Sequence, residues 1–593
     1  MILLKVTTAI LLLLGNISHA KIVQVQVLSR HCDRSPVSQY QIPTDPWDWQ
    51  GFLAKYSYSD GVSPSIQIPF GQGQLTGLGL QQCFQVGKHF RNRYLSRFMN
   101  NTQNNGVNEN PNVISNLVYP QNNQMDTTTA HWNPQDFRFY ATNYDRTLFS
   151  VFSIAQAMFP NGYGPLSDIS LNGQVNAMPQ GMQPIPIHTQ TSTNEIWMSG
   201  YGKCPTIDLN NEENQQSSEY LKMIADFKPY LKIISNLTGI PFENGLITMN
   251  SQKSFLSNIF SNTESKDETR VPFYKYLASP EDAPTQQEST LSSYPQFTTP
   301  IDFSNFYLVL DLLNVQYSHN QLNLKGILDI WEKILQIGDA STYSTFSRKV
   351  QGTLGGGPLV QKMIVEMEKM ISSLSGLKAD KQADNYGADP DESKTVPYKY
   401  VHYSAHDVTI LSLMAALKLS DDYPQLRAIP PYGSQILFEL HQSDNVPAGQ
   451  KPTLDDFYIR IRYNRGFSDD SFTEYSLISL AGTGCKPGKD SNFNCSYSNF
   501  KSVCQADAIP KDWCSECKNT KADICVRALY EKERSLTTIM LVILPIMGGL
   551  LLILLVLIAI IRLRSSKLSR MVRGTADTTT INSESATLYQ TLH

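Results

Sequence analysis

The spacing of apolar and polar residues predicts alternating strands and helices. Residues 21–28 read Lys-Ile-Val-Gln-Val-Gln-Val-Leu, a β-branched alternating run that predicts a strand. Residues 75–94 carry apolar side chains at helical spacing, 137–141 predict a short strand, and 145–159 a helix stopped by Pro160. From about 161 to 344 the pattern changes: 219–237 and 306–335 read as helices joined by polar segments. Pro358 then opens a helix to about Ser373, where its missing N–H costs nothing. Residues 398–403 predict a strand, 407–418 a helix, and 435–440 and 457–463 two further strands. This order predicts an α/β fold: an open mixed, mostly parallel sheet flanked by helices. Its core would be built from 21–160 and 345–480, with a mainly helical insertion, or cap, over 161–344.

Two apolar runs fall outside that pattern. Residues 1–20 combine an early lysine, an apolar stretch and Ser18-His19-Ala20, which predicts a signal peptide cleaved before Lys21. Residues 536–561 carry no charge and, at ~1.5 Å rise per residue, reach ~39 Å, enough to cross a membrane. Arg562, Arg564, Lys567, Arg570 and Arg573 follow, which places residues 562–593 on the cytoplasmic side. The expected topology is a single-pass type I membrane protein with a lumenal or extracellular domain.

A formal net charge of −4 leaves no basic footprint and argues against a nucleic-acid partner. Six of the nine cysteines lie between 485 and 525, which predicts a disulfide-stapled membrane-proximal segment over 481–535, its pairing open. Cys514-Ser-Glu-Cys517 is half of a zinc pattern without a second half, so no metal is expected. Asn100, Asn236 and Asn494 head N-x-S/T sequons and are candidate glycosylation sites.

Candidate chemistry collects at three strand-to-helix junctions: Arg30-His31-Cys32-Asp33-Arg34-Ser35-Pro36, Asn143-Tyr144-Asp145-Arg146-Thr147 and Ser404-Ala405-His406-Asp407. In an open α/β sheet the carboxyl ends of the strands form the binding crevice, and helix N-termini there suit anions. Three arginines and two histidines at one such edge suit a phosphoryl group, because each guanidinium can bind two oxygens.

Arg30-His31-x-x-Arg34-x-Pro36 and His406-Asp407 resemble the two signatures of the histidine acid phosphatases, the branch of the histidine phosphatase superfamily that holds lysosomal and prostatic acid phosphatases and phytases. Supporting stretches follow in order: Gly73-Gln-Leu-Thr76, Tyr144-Asp-Arg-Thr147, Gln183 to Thr189, Gly356-Gly-Pro-Leu359 and Pro431-Tyr-Gly-Ser434. The resemblance covers about residues 21–480. It implies hydrolysis of phosphate monoesters without a cofactor: His31 as nucleophile, Asp407 as proton donor, and Arg30, Arg34, Arg146 and His406 as phosphate ligands. His188, in its family-like stretch, is a candidate for a secondary role. One position departs from the pattern. Cys32 stands where the family has glycine, which admits positive φ and close backbone approach more readily; either the cysteine lowers turnover or the backbone there already lies in an allowed region, and the thiol would make the site sensitive to oxidation.

Two alternatives stay open at this level: a phytase-like inositol phosphate hydrolase, and a receptor ectodomain on a dead phosphatase scaffold, which Cys32 favours. Tyr589-Gln-Thr-Leu592 fits a tyrosine-based signal read by clathrin adaptors and is similar to the arrangement in lysosomal acid phosphatase. The expected partners are therefore a small-molecule or phosphoprotein monoester, a membrane, an adaptor and a second copy in a homodimer. The expected location is the lysosome, the endosome or the plasma membrane.

Overall fold

A computed structural model describes residues 20–37, 41–57, 70–95, 132–162, 164–165, 176–242, 300–377, 397–487 and 495–574. Residues 1–19 of the expected signal peptide, Asn100, Asn494, Tyr589 and Leu592 lie outside the described residues.

Six strands form one sheet: β1 (Ala20–Arg30), β2 (Phe137–Ala141), β3 (Tyr400–Ala405), β4 (Gln435–Ser443), β5 (Phe457–Asn464) and β6 (Thr473–Tyr475), in the order β2-β3-β1-β4-β5-β6. β2, β3 and β1 run parallel, while β4, β5 and β6 continue antiparallel. The fold is thus the expected α/β class, an open mixed sheet flanked by helices, with its parallel part confined to the three strands that carry the candidate chemistry.

β1 lies near the middle of the sheet and is buried on both faces, so its alternation does not mark a solvent side. Val25 and Val27 join an apolar cluster with Val86, Phe90, Val151 and Ile154 from the Gly77–Phe90 and Asp145–Met158 helices. On the other face, Gln24 and Gln26 are fully buried and donate to the Glu366 and Met363 carbonyls of the Gly357–Ser375 helix. Buried amides are tolerated only when paired in this way. Glu439 of β4 is buried likewise among Tyr94, His441 and Arg462, and these partners hold its carboxyl down at about 2 against the cost of burial.

The insertion has its own apolar cluster, including Leu231, Ile234, Phe303, Phe306, Leu313 and Ile337. Its helices are Pro205–Gln215, Ser218–Thr238, Phe306–Ser318 and Trp331–Phe346. The single helical run expected over 306–335 is broken, because Asn320 and Gly326 take positive φ (54° and 82°). Asparagine and glycine visit that region at little cost. Asn236 is exposed in the last turn of the Ser218–Thr238 helix.

The cysteines do not make a self-contained segment. Cys485 pairs with Cys495, but Cys517 reaches back 313 residues to Cys204 at the start of the insertion. That bond also removes Cys517 from any zinc pattern. Trp513 is fully buried and donates from Nε1 to the Leu354 carbonyl (2.7 Å). Residues up to Ala522 belong to one compact unit. The second unit, Asp523–His593, carries the Asp523–Gly574 helix. Its most apolar 18-residue window has mean hydropathy 3.1, long and apolar enough to cross a membrane.

Candidate active site

The register of the parallel strands brings the three junctions to one level. Arg30 pairs with Ala405 and Ala141 with Ser404, so the residues that follow each strand emerge side by side. The His31 N–H donates to the Ala405 carbonyl (3.0 Å) and the Thr142 N–H to the Ser404 carbonyl (3.1 Å). The Asp145–Met158 and Asp407–Ala416 helices begin at this edge. Two glycines allow the close approach. Gly79 lies against the Asp33 carbonyl, where a Cβ would come within 2.1 Å, and Gly433 at φ +70° donates its N–H to the His31 carbonyl.

His31, Arg34, Arg146, His406 and Asp407 line one pocket with about 720 Å³ of empty space, partly open to solvent. Arg30 adjoins it: Nη2 pairs with the Asp407 carboxylate (2.8 Å), and the guanidinium lies 4.4 Å from the Tyr432 ring centre. The six residues singled out from the sequence are therefore gathered together. The His31 and His406 ring centres are 5.6 Å apart.

The His31 ring has a defined polarity. Its Nδ1 lies 2.8 Å from the Cys32 carbonyl, which can only accept, so Nδ1 carries the proton. Burial, and then the charges of Arg146, Arg30 and Arg34, hold the ring pKa well below its ordinary value. A neutral ring protonated at Nδ1 leaves a lone pair on Nε2. Burial and the same three arginines lower His406 in the same way, and its Nε2 is 3.0 Å from the Thr142 hydroxyl.

The arginines differ in their partners. Arg34 pairs with Asp311 (2.9 Å), donates to the Ser35 carbonyl (3.0 Å) and reaches the Tyr307 hydroxyl (3.4 Å). Arg146 lies 4.6 Å from the Tyr144 ring centre and has no carboxylate partner among the described residues. Its Nε is buried without a hydrogen bond, and burial together with Arg34 lowers its pKa. Two guanidinium groups turned to one pocket, one without a counter-ion, make a site for an anion.

Cys32 is neither strained nor free. It is absent from the non-glycine residues with positive φ, it is fully buried, and its sulfur is bonded to Cys83 in the Gly77–Phe90 helix. The expected oxidation sensitivity therefore does not apply, because the sulfur is already a disulfide. The side chain points into that helix, so the Cβ does not occupy the pocket. His188 forms a bridge beside Tyr140 at the sheet edge and does not line the pocket.

Several pocket residues were not found from the sequence. Tyr307 comes from the insertion, Thr345 and Phe346 from the end of its Trp331–Phe346 helix, which runs two residues past the expected bound of 344, and Ile429 from the loop before β4. Asp311 did leave a signal: it is the only charge in Phe-Tyr-Leu-Val-Leu-Asp-Leu-Leu, and a carboxylate inside an apolar helix calls for a cation.

The geometry gathers two histidines, two arginines and a carboxylate in one pocket, with a third arginine beside it. Residues 21–464 match the Histidine phosphatase superfamily (branch 2), and the chain belongs to that family. It is similar to prostatic acid phosphatase of Homo sapiens, 23% identical over 500 residues covering 84% of this chain and 88% of that protein. It is similar also to lysosomal acid phosphatase of Xenopus laevis, 24% identical over 502 residues covering 84% and 78%. Among solved structures, the apo form of Hafnia alvei phytase aligns over 85% of this chain and 99% of that one, at 13% identity and a TM-score of 0.46.

Proposed function

We propose that the protein hydrolyses phosphate monoesters through a covalent phosphohistidine on His31. The observation that carries the reading is the His31 ring, its Nδ1 held by the Cys32 carbonyl, lining one pocket with Arg34 and with Arg146, which has no carboxylate partner among the described residues. Nε2 attacks phosphorus in line, forming an N–P bond while the P–O bond to the alcohol breaks. Arg30, Arg34, Arg146 and His406 stabilise the charge on the phosphoryl oxygens. Asp407 gives its proton to the leaving oxygen. Water then attacks phosphorus, Asp407 takes its proton, and the N–P bond breaks to free phosphate. Without substrate Asp407 is bound to Arg30; phosphoryl oxygens competing for Arg30 would free the carboxyl to face the leaving oxygen. The arginines supply the positive charge, so the reading needs no metal.

The pocket wall favours a simple monoester over an inositol polyphosphate. Beyond the phosphate-facing groups, its described lining includes Tyr201, Tyr307, Phe346, Ile429 and the Thr342 and Thr345 hydroxyls, none cationic. Aromatic and aliphatic walls suit a flat apolar leaving group, whereas further phosphates need further cations.

The test is acid phosphatase activity of the full chain in detergent on 1-naphthyl phosphate at pH 4 to 6, beside His31→Ala, with labelled substrate to trap the intermediate. The substitution should cost on the order of 10⁴-fold or more in kcat, and label should be found on His31 alone. Equal activity of the two proteins, or label elsewhere, refutes the reading.

We infer further a type I orientation, with the catalytic unit outside the cytosol and sorting to lysosomes or endosomes through Tyr589 and Leu592. The apolar span supports a membrane anchor, and glycosylation is proposed at Asn236, which is exposed.

A further inference from the structure

Two of the three arginines around the pocket already hold a carboxylate. Arg30 pairs with Asp407, which the reaction uses; Arg34 pairs with Asp311, which it does not. Asp311 comes from the insertion, in the middle of the Phe306–Ser318 helix, and is 6% exposed. Both its oxygens are engaged: Oδ1 accepts from Arg34 Nη2 (2.9 Å) and Oδ2 from the Val37 N–H (2.9 Å). Arg34 also has anchors of its own, in the Ser35 carbonyl and the Tyr307 hydroxyl. Asp311 is therefore not alone in holding the guanidinium in place. What it alone contributes is a negative charge behind one of the phosphate-facing cations.

That charge matters at the end of the cycle. Hydrolysis leaves inorganic phosphate against the groups that stabilised the transition state, and whatever holds the product too tightly slows turnover. We propose that Asp311 is a positioning residue that sets how tightly the pocket holds free phosphate: it keeps Arg34 aimed at the phosphoryl oxygens while offsetting enough of its charge to let the product leave. The inference rests on the pocket being a phosphate site.

The test uses the full chain in detergent, with inorganic phosphate as the probe, its Kd read by calorimetry and its Ki by competition. Asp311→Asn keeps the size of the side chain and one acceptor oxygen. It should tighten phosphate about tenfold or more, the size expected for removing one charge within ~10 Å at an effective dielectric near ~20, and kcat should fall as release slows. Asp311→Glu should stay near wild type. In an Arg34→Gln background, which leaves no guanidinium to offset, Asp311→Asn should change the phosphate affinity little; Asp311→Ser, also uncharged, should tighten phosphate as Asp311→Asn does and gives a second reading if that variant fails to fold. His319→Gln removes another tie between this segment and the site loop, Nε2 to Asp33 Oδ2 at 2.8 Å. It should lower Tm without changing the phosphate Kd, which separates charge from general loosening. Phosphate affinity unchanged or weakened by both Asp311→Asn and Asp311→Ser, or tightened equally when Arg34 is already replaced, overturns the proposal. A wild-type protein that binds no phosphate overturns the phosphate-site reading itself, and the proposal with it.

Discussion

The two halves of the pocket come from different regions and differ in kind. The α/β core delivers His31, Arg30, Arg34, Arg146, His406 and Asp407 from three adjacent strand ends, each held by backbone hydrogen bonds or by the sheet register. The insertion delivers Tyr307, Thr342, Thr345 and Phe346, a neutral wall with one buried carboxylate, Asp311, behind it. Reaction chemistry needs charges placed to within fractions of an ångström, and a hydrogen-bonded sheet edge provides that. Selection of a leaving group needs a surface that can change without disturbing the charges, and a separately packed cap provides that. The division teaches that altering the insertion should redirect the activity, whereas altering the core should abolish it or cost stability.

The largest effect expected from the insertion is a change of preference. Thr345→Lys would place a cation on the wall opposite the arginines. The ratio of kcat/KM for inositol hexakisphosphate to that for 1-naphthyl phosphate should rise about tenfold or more, because a charge-assisted contact to a second phosphate is worth about 1.5–3 kcal/mol. Phe346→Ala should lower kcat/KM for the naphthyl ester by a similar factor and leave glycerol 2-phosphate nearly unchanged. If both variants keep the wild-type ratio, the insertion does not select the leaving group.

A smaller effect is expected from the core disulfide. Replacing Cys32 with glycine and Cys83 with alanine together should cost about 2–4 kcal/mol of stability, the usual worth of a bond closing a loop of this size. Activity at low temperature should survive, because the Cys32 carbonyl that reads the His31 proton is a backbone group. Denaturant melts beside kcat at 20 °C decide this. A collapse of kcat in a folded variant would show that the sulfur bridge also orients the nucleophile.

The smallest effect concerns pH. His402 is fully buried beneath the site, between the Ser29 hydroxyl (2.8 Å) and the Tyr400 hydroxyl (2.9 Å), and burial lowers its pKa to about 3. A histidine lowered in the fold stays neutral there while the unfolded chain takes up a proton. Stability is therefore lost as pH falls through the unfolded value near 6.5, and the loss stops near 3. At pH 4.5 this costs about 2–3 kcal/mol relative to neutral pH. In His402→Gln the drop in unfolding free energy between pH 7 and 4.5 should shrink by roughly that amount; an identical drop would mean that His402 is not the group responsible.

Much of the core could be read in advance, and for a physical reason. Strand and helix periods, with Pro160 and Pro358 as punctuation, depend on residues close together in the chain. The strand over 137–141 and the helices starting at Asp145 and Asp407 were therefore found with little error. The six charged and histidine residues were legible because each sits at a strand-to-helix junction, where an α/β sheet places its ligands. The partner of Asp311, the place of Tyr307 and the Cys204–Cys517 bond were not legible. They join segments hundreds of residues apart, and periodicity carries no record of such partners.

The order of its polar and apolar residues predicted most elements of the core, and the motifs at the strand ends pointed to the edge that bears the candidate groups, because local propensity and the handed crossover rule leave few other arrangements. Folding in three dimensions decided the rest: that β1 is buried on both faces, that Cys32 is occupied by Cys83, and that Arg34 is countered from the insertion while Arg146 has no carboxylate partner among the described residues. Each of these depends on which distant surfaces meet, and therefore on packing and burial, whose energies are set by the whole molecule.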